Sequence, residues 1–219
     1  MTRPAHDQHT AVPALGGTGR LADDLYLMAH HERTGRPLLA PRAAGLGLAG
    51  ALLGELILDG AISVTASAVM AAGRAPDEEL TAGVLGLVAA EPGPRPTQDW
   101  LAFLARTAPT GVARRLARAG YLTPSQSWRG QRWIPADPDC AFAPVARAKS
   151  GLDRADDVHD VTLAALAAAC GLGARLALYL PSASRDCLPA AAGWLDPALR
   201  EVITQTQAAV DSAVLAHRT

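Results

Sequence analysis

Lysine is almost absent from this chain. Lys149 stands alone and every other basic side chain is arginine, a bias that coding composition explains before any selection for anion recognition does. Cysteine is scarce too. Cys140, Cys170 and Cys187 are far apart and form no Cys-x-x-Cys pair. That excludes a zinc knuckle and a disulfide scaffold and suits a reducing compartment. Net charge is nearly absent, -1 over 219 residues, so no global field selects nucleic acid or a membrane. Residues 1–18 hold Pro, Gly and His but no apolar core. They read as a disordered tail ahead of a domain over 19–219, not as a secretory signal. Gly-x-Ser-x-Gly, a phosphate loop and His-Glu-x-x-His are all missing. The sequence therefore offers no positive sign of catalysis, a cofactor or a bound metal.

What the chain has is apolar residues, 49% of the total. They concentrate in residues 41–64, P-R-A-A-G-L-G-L-A-G-A-L-L-G-E-L-I-L-D-G-A-I-S-V. A helix apolar on every face is a buried one. Gly45, Gly47, Gly50 and Gly54 each weaken it, by roughly 1 kcal/mol relative to alanine. Their compensation is close approach by other helices. Gly60 stands where a left-handed C-cap belongs, and residues 61–64 read as a strand or an extended exit.

Other elements follow in order. Residues 20–31 suit an amphipathic helix with Asp23 and Asp24 in its first turn, and His30 and His31 as cations at its end. Pro76 and the acids after it open a helix through Val88. A short helix spans residues 99–106 and a basic one residues 110–119. Residues 161–180 form a second buried helix, long enough to span a membrane but interrupted by Arg175. A last helix follows Asp196-Pro197. The fold class is all-α: a helical globule around apolar central helices, with one protruding β-hairpin.

That hairpin is residues 121–134, with Gly130-Gln131 as its two-residue turn. This register sets Arg129 opposite Arg132 and Trp128 opposite Trp133, arginines on one face and tryptophans on the other. No acid occurs between Asp99 and Asp137, whereas Arg106, Arg114, Arg115, Arg118, Arg129 and Arg132 all do. Such a window reads as an anion-binding surface or as a solvated basic face. Trp128 and Trp133 suit a membrane–water interface, or a cross-strand pair covering the protein. A short basic helix before a hairpin also has the outline of a winged helix. Asp156, Asp157, His159 and Asp160 serve more simply as an acidic first turn than as metal ligands. Glu55, if buried, needs a partner, and Arg175 is a candidate.

Taken together these segments resemble the Golgi phosphoprotein 3 family, which has bacterial members. The resemblance runs through L-A-D-D-L-Y-L-M at 21–28, L-A-G-A-L-L-G-E-L-I-L-D-G at 48–60, R-L-A-R-A-G-Y-L at 115–122 and L-D-P at 195–197. It implies a mostly helical globule with a protruding hairpin, and a non-enzymatic adaptor of the kind that binds phosphatidylinositol 4-phosphate. It places the family's head-group pocket at Ala40, Ala49, Arg106 and Pro109. The expected function is thus a peripheral membrane or adaptor protein for anionic, phosphoinositide-type lipid head groups. Its lipid- or anion-binding residues would be Arg106, Arg114, Arg115, Arg118, Arg129, Arg132, Trp128 and Trp133. The expected location is cytoplasmic, against the inner face of the cell membrane. The alternatives are a protein–protein interaction module without lipid and a winged-helix-like DNA binder.

Overall fold

A computed structural model describes residues 17–127, 130–154, 157–179 and 193–216. Helix α1 is Leu21–Met28 and α2 is Pro41–Leu58. Strands β1 (Ile62–Thr65) and β2 (Ala68–Ala71) precede α3, Glu79–Ala90. Then come β3 (Arg95–Pro96), α4 (Thr97–Leu104) and α5 (Ala108–Arg118). Strands β4 (Leu122–Ser127) and β5 (Gly130–Pro135) lead to α6, Pro138–Arg154. Helix α7 (Val158–Ala167) continues through a π-type turn, Ala168–Leu172, into α8, Gly173–Tyr179. Helix α9 is Pro197–Leu215.

Helix α2 is the buried centre, as its composition requires. Leu48, Leu52, Leu53 and Leu56 are at most 1% exposed. A Cβ placed on Gly50 would lie 2.3 Å from Thr206 Oγ1 of α9. The missing side chain is what lets α9 pack so close. The helix ends in a Schellman turn: Gly60 has φ +66°, the Gly60 N–H donates to the Ile57 carbonyl and the Ala61 N–H to that of Leu56.

Four expectations change. The fold is mostly helical, but it carries a second small antiparallel sheet, β1-β2-β3, beside the β4-β5 hairpin. Its tight turn is Ala66-Ser67, both with positive φ and neither glycine, so the usual turn signal is missing. Helix α1 is not amphipathic: all eight of its residues are buried, Asp23 and Asp24 included. The expected helix over residues 161–180 is broken at Gly171, where φ is +91°. Helix α6 carries Pro144 and Gly151, residues that hide a helix in the sequence.

The hairpin register also differs. Ser127 pairs with Gly130 and Gln126 with Gln131, so Gly130-Gln131 is strand and not turn. Arg132 faces Ser125 and Trp133 faces Pro124. The opposed arginines and paired tryptophans of the expected register are therefore not formed. Trp128 and Arg129 lie outside the described residues. The expected tail boundary moves too. Gly17 is buried, and the Thr18 N–H donates to Asp24 Oδ1 at 2.9 Å, so the folded part reaches Gly17.

Candidate functional site

One guanidinium holds the interior together. Arg115 of α5 donates from Nε to Asp23 of α1 at 2.7 Å, and through Nη1 and Nη2 to Glu55 of α2 at 3.0 Å. Its Nη1 also donates to Glu78, ahead of α3, at 2.8 Å. Two of these acids finish helix ends as well. Glu55 Oε1 accepts the Ala22 N–H at 2.8 Å, near the start of α1. Glu78 accepts the Leu80 and Thr81 N–H groups at 2.9 and 3.0 Å as the N-cap of α3. Four elements thus meet on one cation.

Three carboxylates exceed one guanidinium by two charges. Burial pushes the Asp23 carboxyl up to about 7 against the pull of Arg115, with Glu55 and Asp24 adding repulsion. Burial also acts to raise Glu78, but the N–H groups of Leu80 and Thr81 together with Arg115 outweigh it and hold its pKa low. Burial works against the charge on Arg115, while Glu55 and Asp23 more than restore it. Asp23 is therefore pushed toward its protonated form near neutrality.

Its neighbour Asp24 has a cation of its own. Arg147 of α6 donates to Asp24 at 3.0 Å and to Asp160 of α7 at 2.6 Å. The Asp-Asp pair of the L-A-D-D stretch is thus divided between two arginines. Asp157 caps α7 through the N–H groups of His159 and Asp160, and Asp156 lies outside the described residues. Arg175 pairs with Glu32, not with Glu55. His30 stacks on Tyr26, and burial lowers its pKa despite the hydrogen bond to the Tyr26 carbonyl. It is not the helix-end cation expected of it.

Beside this network an open groove runs between α3 and α5. Two adjoining hollows of about 420 and 310 Å³ share Leu80, Val84, Leu104, Thr107, Gly111 and Arg114. Arg106 lines one; Glu78, Glu79, Arg115 and Arg118 line the other. Arg106 and Arg114 are exposed, and among the described residues neither makes an ion pair. Arg118 is paired with Glu79 on the surface. The N-terminal end of α5 opens here with no acid in its first turn and no side-chain cap from Thr107, so the positive end of its dipole is uncompensated.

The expected site residues therefore divide. Arg106, Arg114 and Arg118 share the groove. Arg115 lines it but is held by three carboxylates, which removes it as an anion ligand. Arg132 is exposed on the hairpin. Trp133 packs partly buried against the core. Arg129 and Trp128 lie outside the described residues. The apolar wall from α3 was not expected. Its signal was the absence of any charged residue from Leu80 to Ala90.

The family model for Golgi phosphoprotein 3 (GPP34) matches residues 21–206, so the chain belongs to that family. No curated protein matches it. Asp23, Asp24, Glu55 and Arg115 all lie in the stretches on which the resemblance rested, and all are interior ion-pair residues.

Proposed function

We propose that this chain is a non-enzymatic peripheral membrane or adaptor protein that binds anionic lipid head groups. The head group would sit in the hollow that Arg106 and Arg114 share. The carrying observation is exposed charge without a partner: Arg106 and Arg114 line the groove and make no ion pair among the described residues, while Glu78 and Glu79 of the adjoining hollow are held by Arg115 and Arg118. A guanidinium can give a phosphate two parallel hydrogen bonds. The N-terminal end of α5 adds attraction of the same sign. Family membership supports the class of function. Arg106 is also the one arginine among the positions assigned to the family's phosphatidylinositol 4-phosphate pocket. Ala40 and Pro109 cannot supply charge, and Ala49 is fully buried. The proposed ligand is therefore a phosphate-bearing head group in general, met at the cytoplasmic face of the cell membrane.

Sedimentation with liposomes of graded anionic content tests this. Binding should rise with anionic lipid and fall with added salt. Each arginine near an anionic surface contributes about 1 kcal/mol, so Arg106→Ala with Arg114→Ala should weaken binding by roughly thirtyfold. Both side chains are exposed, so the fold should stand. A double mutant that pellets like wild type would move the site elsewhere, with Arg132 and Arg129 the next arginines to replace. Wild type that pellets with no liposome would sink the membrane reading. A salt-dependent duplex DNA shift in its place would favour the winged-helix alternative.

A further inference from the structure

We propose that the α3–α5 groove takes one acyl chain of an anionic phospholipid as well as its phosphate. The ligand is then a lipid drawn partly out of the bilayer, not a head group touched at its surface. This rests on the head-group reading above and adds the apolar half of the ligand.

The argument begins with α3. Only Thr81, Val84, Leu85 and Val88 of this helix are buried, yet it carries no charged side chain after Glu79. A surface helix of a soluble protein normally presents a polar outer face. Leu87 is 46% exposed on that face. A long, uncharged, exposed helix wall beside two unpaired arginines calls for an occupant that is apolar along its length and anionic at one end.

Groove geometry points the same way. Helices α3 and α5 run antiparallel, tied by Glu78–Arg115 and Glu79–Arg118 at one end. They touch closely at Leu80 and Gly111, where a Cβ on the glycine would lie 2.8 Å from Leu80 Cδ1. One turn further along α3, a Cβ on Gly83 would meet nothing within 4 Å. Val84 and Leu104 form the floor there and Leu87 the wall. Arg106 and the start of α5 stand at that end, and Arg114 lines both hollows. A phosphate held by the arginines would lead its chain along Leu104, Val84 and Leu87 toward Gly83. The hollows, about 420 and 310 Å³, lie within the roughly 300–1,000 Å³ of small-molecule sites.

The experiment is titration calorimetry of the full chain with glycerol 3-phosphate and with 1-hexanoyl and 1-octanoyl lysophosphatidic acid, each below its micelle concentration. Full burial of a methylene gains about fourfold in affinity, and a half-open groove about twofold. The octanoyl form should therefore bind about four- to sixteenfold more tightly than the hexanoyl, and both more tightly than glycerol 3-phosphate. Gly83→Leu should fill the trough and remove this gain. The position is open, and leucine is the better helix former, so its thermal midpoint should not fall. Leu87→Gln should reduce the gain in the same way. Equal affinity for glycerol 3-phosphate and the octanoyl form would overturn the inference, as would a Gly83→Leu protein that keeps the chain-length gain. If wild type still pellets with anionic vesicles through Arg106 and Arg114, that failure leaves the head-group reading standing. If it binds neither vesicles nor any of the three compounds, both readings fall.

Discussion

Asp23→Asn is the sharpest perturbation of the interior network. Burial raises the Asp23 carboxyl from its ordinary 3.8 to about 7. Between those values the folded chain holds a proton that the unfolded chain has lost. Folding stability from this group is thus complete below the unfolded pKa and is lost as pH rises through the folded one. Each unit of difference is worth about 1.4 kcal/mol, so the whole window, 3.8 to about 7, spans about 4 kcal/mol. Asparagine mimics the protonated acid. Its side-chain oxygen can still accept the Arg115 Nε–H that Asp23 Oδ1 accepts at 2.7 Å, but it does not titrate. Asp24 is raised in the same sense and Glu78 lowered in the other, so wild type alone would mix their effects. The difference between mutant and wild type isolates Asp23. Urea unfolding followed by fluorescence of the buried Trp100 would measure it. Asp23→Asn should gain about 2–3 kcal/mol on wild type between pH 5 and 7 and then hold level. A difference that stays flat across that range would mean Asp23 is ionised throughout, and would refute the account of a cation outnumbered by its acids.

Other outcomes follow from the same contacts. Arg115→Met leaves the buried Asp23 and Glu55 and the half-buried Glu78 without their cation and should cost about 3–5 kcal/mol, seen as a large fall in thermal midpoint or loss of soluble protein. Gly54→Leu puts a side chain where even a Cβ would be 3.0 Å from Leu21 Cδ1. It should overpack the α1–α2 contact by about 1–3 kcal/mol, and an unchanged midpoint would show that this face yields. Ala66→Gly should stabilise the β1–β2 turn, since alanine at φ +50° is held in a left-handed conformation costing roughly 1–2 kcal/mol; a denaturation midpoint below that of wild type would count against that strain.

The family and the central helix were legible because both depend on local pattern. An uninterrupted apolar run can only be buried, its glycines can only be tolerated where another helix fills the space, and Gly60 can only be a C-cap. Thr206 against Gly50, and the turn at Gly60, realise those requirements. Part of the proposed site lay in a local pattern too: the acid-free window contains Arg106 and Arg114, the two arginines of the groove that make no ion pair among the described residues.

Partners were what the sequence could not decide. Six arginines in one window look alike on paper. Folding sends Arg115 inward to acids 92, 60 and 37 positions away, and leaves Arg106 and Arg114 outside. Asp23 and Asp24 read as a favourable first turn, but burial of α1 on every side turns them into the acids of two separate ion pairs. The hairpin register slipped because Gly130 supplied a familiar turn signal, whereas cross-strand pairing is set by which residues meet and not by one glycine. Ala66-Ser67 gave no such signal and turns all the same, anchored by Thr97 donating to the Ser67 carbonyl at 2.8 Å. Periodicity and composition follow from a residue's own neighbourhood, so the chain alone determined them. Charge pairing and register depend on distant segments brought within about 3 Å, and only the tertiary structure could decide those.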